Sequence, residues 1–386
     1  MRLLLLDPRE LDLARRHLQA ADGAVTAAYQ RLLAEAEEAL AIGPFSVMDK
    51  QGVPPSGDKH DYLSLGTYWW PDPHQPGGKP YVRRDGYRNP EGDLYDQTTI
   101  HLMAATVQTL ALAWWFSGDG RFSRRAALLL RTWFLDSATR MNPHLRYGQF
   151  IPGRCEGRDI GIIDTEQVVS TIPDATALLL ARDGSGWTDQ DNRQLTAWFD
   201  AYLQWLRTSD LGRGEDKQYN NHGTAFDLQA AGLALFCGHD DIAHRQIGQV
   251  LPRRIATQID PDGSQPYELA RTRSLGYSVM NLALLMRLAR LGEHVAVDLW
   301  HARTADGRGI EAALHYLAGE LFQPDGWKRP QVVPFDYTSL LPLFRWAGRH
   351  YDRERFESYI RRLPELGPGV SMIDNRGHLL CPAPPQ

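Results

Sequence analysis

Residues 106–130 read TVQTLALAWWFSGDGRFSRRAALLL and contain the pattern that decides the fold. Apolar residues recur at steps of three and four on both sides of a short turn, which predicts two amphipathic helices. The turn, Ser117-Gly118-Asp119-Gly120, offers a glycine to end the first helix and an aspartate to cap the second. The stretch therefore predicts a hairpin of two antiparallel helices.

The same pattern continues along most of the chain, and strand-like alternation is scarce. The predicted helices lie near residues 8–41, 94–117, 121–137, 165–182, 188–207, 222–237, 240–258, 271–291, 309–320, 336–348 and 352–363. Helical hairpins in series can form an open solenoid or close into a ring, and no sequence repeat of fixed period supports the solenoid. No linker separates two halves. We therefore expect an all-α, single-domain α/α toroid over residues 1–386, an incomplete barrel of about six or seven hairpins.

One long segment, residues 43–92, interrupts the helical pattern with glycines, prolines and aromatic residues. Its aromatic residues, which are not typical of an unfolded linker, are Phe45, Tyr62, Tyr68, Trp69, Trp70, Tyr81 and Tyr87. Long irregular segments in compact proteins are commonly functional. We expect this one to pack over the mouth of the ring and line a cleft, where aromatic faces beside cations suit a sugar chain that carries carboxylates. The alternative is that the aromatic residues fill the core beneath a loop.

Composition excludes several classes of protein. The chain of 386 residues is 43% hydrophobic and 23% charged, which is ordinary for a globular protein, and no apolar run approaches the roughly 20 residues of a membrane-spanning helix. A formal net charge of −5 provides no global basic field for nucleic acid or anionic lipid. The cysteines Cys155, Cys237 and Cys381 are far apart and form no CxxC pair, so neither a disulfide framework nor a zinc site is expected.

The N-terminal sequence bears on localisation. Leucines occupy residues 3–6, but Asp7-Pro8 ends this apolar stretch before it reaches the length of a signal-peptide core. We expect no signal peptide in this sequence. A periplasmic or secreted protein whose leader has been removed and a cytoplasmic protein both remain compatible with it, and the oligomeric state is left open.

A first polar run, YNNH at residues 219–222, opens the apolar helix predicted near 222–237. An asparagine at a helix start is commonly only a cap. Here, however, two carboxamides, an imidazole and a phenol come together where helix N-terminal amides favour anions. The run is therefore a candidate anion-binding site as well as a candidate cap.

A second polar run contains Arg271, Arg273 and Tyr277. If a helix starts near Glu268, Arg273 and Tyr277 are four residues apart and share a face. If Arg271 instead lies in the loop before that helix, it is free to point into a cleft. A solvated pair of arginines beside a core tyrosine is the structural alternative, and the sequence leaves these readings open.

Together with SVMDK at residues 46–50, PPSGDKHDY at 54–62 and YWWPDP at 68–73, the two polar runs resemble the alginate lyase superfamily. Within it, the region from SVMDK to WWPDP most resembles polysaccharide lyase family 38, whose members cleave glucuronan or mannuronate-rich alginate. The resemblance extends over residues 40–345. It implies an α/α toroid with a deep cleft, an anionic polysaccharide substrate, no metal-dependent chemistry and no cofactor.

The resemblance also implies a role for each site residue. Asn221 and Arg271 neutralise the substrate carboxylate, Tyr277 acts as base and acid, and His222 assists. Further substrate contacts are expected from Lys50, Lys59, His60, Tyr68, Trp69, Asn220 and Arg273, and Arg273 remains a competing partner for the carboxylate. The implied reaction removes the C5 proton of a 4-linked uronate and expels the C4 oxygen, which leaves a 4,5-unsaturated sugar.

Two other functions remain as alternatives. A toroidal glycoside hydrolase needs two carboxylates about 5 to 10 Å apart, and Asp96, Asp164, Glu166 and Glu268 are the candidates. A non-catalytic protein that binds oligouronates would use the aromatic residues to hold sugar and the Asn-His run only as a cap. The sequence does not decide between glucuronan and polymannuronate, or between endo and exo attack.

Overall fold

A computed structural model describes residues 2–366 and 372–383 of the chain. The α-helices are α1 (Pro8–Gln19), α2 (Gly23–Ala39), α3 (Asp96–Ser117), α4 (Gly120–Leu130), α5 (Glu166–Leu180), α6 (Asp189–Thr208), α7 (Asp210–Asp216), α8 (Asn221–Phe236), α9 (Asp240–Gly248), α10 (Ala256–Gln258), α11 (Pro266–Leu269), α12 (Ser274–Glu293), α13 (Ile310–Leu321), α14 (Leu340–His350), α15 (Arg353–Arg362) and α16 (Gly377–Leu380). The strands are β1 (Leu63–Leu65), β2 (Trp69–Trp70), β3 (Val82–Arg83) and β4 (Tyr147–Phe150). No helix in the described ranges is long and apolar enough to cross a membrane.

The predicted helices are present, with informative differences at two of them. The predicted helix 8–41 is divided into α1 and α2, because Ala21 adopts a positive φ of 55° and Asp22 caps α2 by accepting the Ala24 and Val25 N–H groups, both at 3.1 Å. The predicted helix 240–258 is likewise interrupted: α9 ends at Gly248, and a π-helical turn, Leu251–Ile255, precedes α10. Both breaks are local capping and turn events inside apolar patterns that continue across them.

The chain forms two compact units. Unit 1 comprises Met1–Arg2, Ala36–Gln218 and Ala225–Ala243, and unit 2 comprises Leu3–Glu35, Tyr219–Thr224 and His244–Gln386. The chain passes from one unit to the other and back several times. The expectation of one domain over the whole chain therefore stays a prediction.

In unit 1, helix α3 packs against both α4 and α5. The hairpin predicted from the opening stretch is present: Gly118 ends α3 with a left-handed φ of 76°, and the Asp119 carboxylate accepts the Arg121 N–H at 2.9 Å to start α4. A residue with a side chain would be strained at Gly118, and its Cβ would meet the Arg182 guanidinium. The turn therefore has the chemistry that its sequence indicates.

The segment 43–92 belongs to unit 1 and is ordered by two small sheets. Strand β1 pairs in parallel with β4, and β2 pairs antiparallel with β3, so that Trp69 lies opposite Arg83. Tyr62 is fully buried, whereas Trp69 and Trp70 are partly accessible and Tyr87 is exposed. The segment thus contributes aromatic residues both to the core and to the surface. Its placement over a cleft stays a prediction.

Lys50 anchors this segment from inside unit 1. Its ammonium is completely buried, donates to the carbonyls of Val47 at 2.6 Å and Lys59 at 2.8 Å, and lies 3.0 Å from the Asp96 carboxylate. Asp96 also accepts the Leu63 N–H at 2.8 Å. The expectation that Lys50 contacts substrate is therefore wrong, because all three donors of its ammonium are used within the fold and none is left for a substrate.

Burial shifts both members of this ion pair toward their neutral forms. It raises the pKa of Asp96 to about 6, although Lys50 and the Leu63 N–H oppose the rise. It also lowers the pKa of Lys50, against the attraction of Asp96. Since each charge is tolerated only with its partner, removal of one alone leaves the other buried and uncompensated.

We expect Lys50→Met to lower the free energy of unfolding by about 3–5 kcal/mol, because it leaves the Asp96 carboxylate buried without its cation. Urea unfolding followed by circular dichroism measures the change. The double variant Lys50→Met/Asp96→Asn removes both charges and keeps an acceptor for the Leu63 N–H, so it should recover at least half of the loss. A single variant that unfolds at the wild-type urea concentration would contradict the anchoring role.

Candidate active site

Helix α8 begins with a cap that the first polar run provides. The Asn220 side-chain oxygen accepts the His222 N–H at 3.2 Å, and the Asn220 carbonyl accepts the Gly223 N–H at 3.0 Å. The same carbonyl accepts the Gln258 amide at 3.1 Å. Asn220 therefore has the capping role that the sequence offered for it, and its predicted contact with substrate stays a prediction.

A network of buried amides lies behind this cap in unit 2. The Gln258 side-chain oxygen accepts from the Thr224 hydroxyl at 2.9 Å and from the Asn281 amide at 3.0 Å. Asn281 also donates to the Gln265 side-chain oxygen at 2.9 Å. The network ties the first turn of α8 to α10, to the residue before α11 and to the middle of α12. Buried hydrogen-bond networks of this kind help to fix the relative positions of the elements that carry them.

Asn221 does not cap the helix but faces a carboxylate. Its backbone N–H donates to Glu268 Oε1 and its side-chain amide donates to Glu268 Oε2, both at 2.8 Å. Asn221 is fully buried and Glu268 is 2% exposed. Burial raises the pKa of Glu268, while the Asn221 N–H groups and the nearby Arg271 and His222 oppose that rise.

Arg271 lies in the turn between α11 and α12, since α12 begins only at Ser274. Its Nη2 donates to the Tyr277 hydroxyl at 2.9 Å, and its Cζ lies 3.9 Å from the centroid of the Tyr277 ring. The loop position that the sequence left open is therefore the observed one. Because Arg271 lies outside the helix, its side chain can reach Tyr277 in the first turn of α12 although the two are six residues apart in the sequence.

Arg273 has a structural position at the start of α12. Its carbonyl accepts the Tyr277 N–H at 3.0 Å, and its backbone forms an antiparallel bridge with Gln331. Next to that bridge, the Ser274 N–H donates to the Pro330 carbonyl at 3.0 Å, and the Gln331 side chain accepts the Gly276 N–H at 3.2 Å. This extended segment holds the backbone between Arg271 and Tyr277 in place.

The four residues predicted to be catalytic thus all lie in unit 2, on two segments that Glu268 joins. Asn221 is buried, whereas His222, Arg271 and Tyr277 are partly accessible. The arrangement therefore combines a guanidinium, a phenol that accepts a hydrogen bond from it and an imidazole in one unit.

The other predicted substrate contacts lie in unit 1. His60 Nδ1 lies 2.7 Å from the Arg140 carbonyl, and Lys59 is partly accessible while its carbonyl accepts from Lys50. Tyr68 is partly accessible, and its carbonyl accepts the Arg84 N–H at 2.8 Å. These three contacts stay predictions, unlike that of Lys50, whose ammonium donors are all used within unit 1.

Trp69 has cationic neighbours that the sequence did not reveal. The guanidinium of Arg154 lies 5.1 Å and that of Arg158 5.9 Å from the Trp69 ring centroid. Arg158 is held by the Gln149 side-chain oxygen at 2.7 Å, whereas Arg154 is exposed. An indole with two guanidinium groups beside it suits both the face of a sugar and its carboxylate.

Two further features of unit 2 escaped sequence reasoning. Tyr219 and Tyr267 are 59% and 43% exposed, and their ring centroids lie 4.7 Å apart. They immediately precede the cap residue Asn220 and the buried Glu268. The sequence signal for this pair was a tyrosine directly before Asn220 and another directly before Glu268. For Glu268 the available signal was its spacing of three residues before Arg271, which in a continuous helix would place the two side chains near each other.

Each carboxylate that the sequence offered for hydrolysis has an internal partner in the structure. The pairs are Asp96 with Lys50, Asp164 with Ser64, Glu166 with Ser170 and Glu268 with Asn221. Asp96, Asp164 and Glu268 are exposed by 2% or less. These environments do not fit two carboxylates that flank a glycosidic bond. Among the described residues, no group of three or more His, Cys, Asp and Glu side chains could hold a metal ion.

The chain is similar to alginate lyases in sequence and structure. The alginate lyase family model matches residues 46–327. The crystal structure of an alginate lyase from Bacteroides ovatus is 36% identical, with 98% of each chain covered and a TM-score of 0.92. Alginate lyase A1-III in a tetrasaccharide complex is 17% identical over 100% of this chain and 98% of its own, with a TM-score of 0.59. The A1-III structure from Sphingomonas species A1 is 15% identical over 99% and 98%, with a TM-score of 0.56. None of the curated proteins matches.

These similarities define the class first: the chain is a polysaccharide lyase with the all-α, α/α-toroid fold, as the sequence predicts. The family model covers more than half of the chain. The protein belongs to the alginate lyase family. Its assignment to the family 38 branch stays a prediction.

The geometry predicts unequal roles for the two arginines of the second polar run. We expect Arg271→Ala to lower kcat/KM by about 10²–10³-fold, because it removes the cation beside the Tyr277 hydroxyl. Arg273→Ala, the matched control, should have a smaller effect, because its backbone contacts do not depend on the side chain. Ultraviolet absorbance of unsaturated product measures both rates. Equal losses in the two variants would contradict the assignment of Arg271.

Proposed function

We propose that this lyase cleaves 4-linked polyuronates, glucuronan or mannuronate-rich alginate, by β-elimination to give 4,5-unsaturated oligosaccharides. The observation that carries the proposal is the hydrogen bond of 2.9 Å from Arg271 to the Tyr277 hydroxyl, in the same unit as Asn221 and His222. The bound partner is accordingly an anionic polysaccharide or oligosaccharide.

The first requirement of the reaction is to make the C5 proton more acidic. While the neighbouring carboxylate is ionised, loss of that proton builds a second negative charge into an enolate-like transition state. Arg271 is a permanent cation, and Asn221 retains one N–H beyond the two that Glu268 takes. We assign these groups to the substrate carboxylate, where fixed donors stabilise the growing charge.

The second requirement is a base that reaches C5 and an acid that reaches O4. We assign both roles to Tyr277. Its phenolate takes the C5 proton, the electron pair forms the C4–C5 double bond, the C4–O4 bond breaks, and the phenol returns its proton to the departing oxygen. The enzyme is then back in its starting state, and no further reactant is consumed.

Stereochemistry connects this assignment to the substrate. In D-mannuronate and D-glucuronate the C5 proton and the C4 oxygen lie on the same ring face, so one phenol can serve both. In L-guluronate they lie on opposite faces, which requires a second acid–base group, and His222 would have to supply it. The contact between Arg271 and Tyr277 activates one phenol, and this favours the same-face substrates.

Related structures support the choice of residue types. Two variants of alginate lyase A1-III are complexed with a tetrasaccharide, one with a histidine replaced by alanine and one with a tyrosine replaced by phenylalanine. A histidine and a tyrosine are thus the residues altered in those complexes. We propose that the exposed pair Tyr219 and Tyr267, in the same unit as Tyr277, adds contacts to neighbouring sugars of the polymer. The predicted contact of Trp69 with substrate stays a prediction.

A panel of defined polymers tests the proposed function. Incubation with glucuronan and with polymannuronate should generate unsaturated ends, whereas polyguluronate should react at least about ten-fold more slowly, because the same-face geometry is missing. Ultraviolet absorbance and mass spectrometry identify the products. New reducing ends without unsaturated non-reducing ends would indicate hydrolysis and overturn the proposal. Binding of every polymer without turnover would also overturn it.

The role of Tyr277 has a separate test. We expect Tyr277→Phe to lower kcat by about 10²–10⁴-fold, because the ring keeps its packing but loses the group that moves the proton. The affinity for an oligosaccharide, measured by calorimetry, should change by less than about three-fold. A parallel fall in thermal stability and oligosaccharide binding would instead assign Tyr277 to the core.

A further inference from the structure

We propose that Glu268 is a positioning residue that orients the Asn221 carboxamide for the elimination. The inference rests on the proposed function, in which Asn221 donates to the substrate carboxylate. It assigns a function to a buried acid that takes no part in proton transfer. Glu268 also lies three residues before Arg271, the other residue that is assigned to the substrate carboxylate.

Both oxygens of the Glu268 carboxylate accept hydrogen bonds from the same residue, Asn221. The Asn221 backbone N–H reaches Oε1 and the side-chain amide reaches Oε2, each at 2.8 Å, with the acid 2% exposed and the asparagine fully buried. Hydrogen bonds to an ionised acceptor are about twice as strong as neutral ones. Two of them on the backbone and side chain of the same residue fix its rotamer.

A count of donors shows what this contact leaves for substrate. Asn221 has three N–H hydrogens, one on the backbone and two on the side chain, and Glu268 takes two of them. Its side-chain oxygen is buried and accepts no hydrogen bond from any residue in the described ranges. One N–H therefore remains without a partner among the residues of unit 2 that the structure describes, and it is this N–H that the proposed function assigns to the sugar carboxylate.

The charge of Glu268 selects this orientation. If the carboxamide rotated by half a turn, its oxygen would face the Glu268 carboxylate, and two acceptors would be opposed without a hydrogen between them. Without Glu268, no such penalty exists, and the amide could present its oxygen to an anionic substrate. A neutral glutamine at this position would accept one of the two Asn221 N–H groups through its side-chain oxygen. Its own NH₂ group would face the other N–H, so that two donors would be opposed.

The backbone of Glu268 contributes to the same site. Its carbonyl accepts the Arg271 N–H at 3.1 Å, so the residue that orients Asn221 also shapes the turn that presents Arg271. The two groups assigned to the substrate carboxylate, one from the start of α8 and one from the loop after α11, are thus held by a single residue. This arrangement is typical of supporting residues that hold catalytic groups to well under an ångström.

A double-mutant cycle with Glu268→Gln and Asn221→Ala tests the proposal. We expect Glu268→Gln to lower kcat by about 10–100-fold and to change KM by less than about three-fold, because a misplaced donor acts on the transition state. The double variant should be no slower than Asn221→Ala, since the glutamate acts through the asparagine. Effects that multiply would overturn the proposal, as would an unchanged kcat in Glu268→Gln.

A matched control separates positioning from the loss of any buried acid. Glu10→Gln removes another buried carboxylate of unit 2, which pairs with Arg349. It should lower the melting temperature and leave kcat unchanged. If Glu268→Gln does not fold, Glu268→Asp keeps the charge but shortens the reach to Asn221, and its loss of kcat should again disappear in the Asn221→Ala background. Independent losses in that pair would overturn the proposal.

A measurement without substrate distinguishes this inference from the proposed function. With asparagine labelled by ¹⁵N, the side-chain amide signal of Asn221 can be assigned from its absence in Asn221→Ala. We expect that signal to move in Glu268→Gln and to stay in place in Glu10→Gln. An unmoved signal would overturn the inference even if the enzyme is active, whereas a wild-type protein that forms no unsaturated ends would overturn only the proposed function.

Discussion

A carboxylate withdrawn from water must receive hydrogen bonds, and in this protein the start of α8 provides them to Glu268. The two N–H donors come from Asn221, so this contact holds the first turn of α8 next to α11. The amide network through Gln258 and Asn281 extends the same constraint to α12. The site is therefore built on buried polar contacts inside unit 2 that depend on one another.

The helices were predictable because their signal is local and repeated. The Gly118-Asp119 turn has a sequence that fits the observed backbone, and the apolar pattern on either side matches buried faces. The breaks at Ala21 and after Gly248 were not predictable, because helical periodicity continues through them and the competing caps and π-helical turn arise from a few residues.

The site was predictable in its residue types and less so in its contacts. Helical spacing favoured Arg273 as the partner of Tyr277, whereas a start of α12 at Ser274 leaves Arg271 in the loop and makes the contact possible. That boundary depends on the extended segment around Gln331, some sixty residues away in the sequence. The substrate contact predicted for Lys50 failed for a related reason. The residues around a lysine do not indicate that it pairs with a buried acid such as Asp96, which lies far away in the sequence.

The burial of the Lys50–Asp96 pair has a consequence for behaviour in salt. Mobile ions screen exposed charges over a Debye length of about 10 Å at 0.1 M salt, but they have little access to a pair sealed inside the protein. The attachment of residues 43–92 should therefore be insensitive to ionic strength. The attraction between an exposed guanidinium group, such as that of Arg154, and a polyanion should instead weaken as the salt concentration rises. At higher salt the protein would therefore keep this segment in place and bind an anionic polymer more weakly.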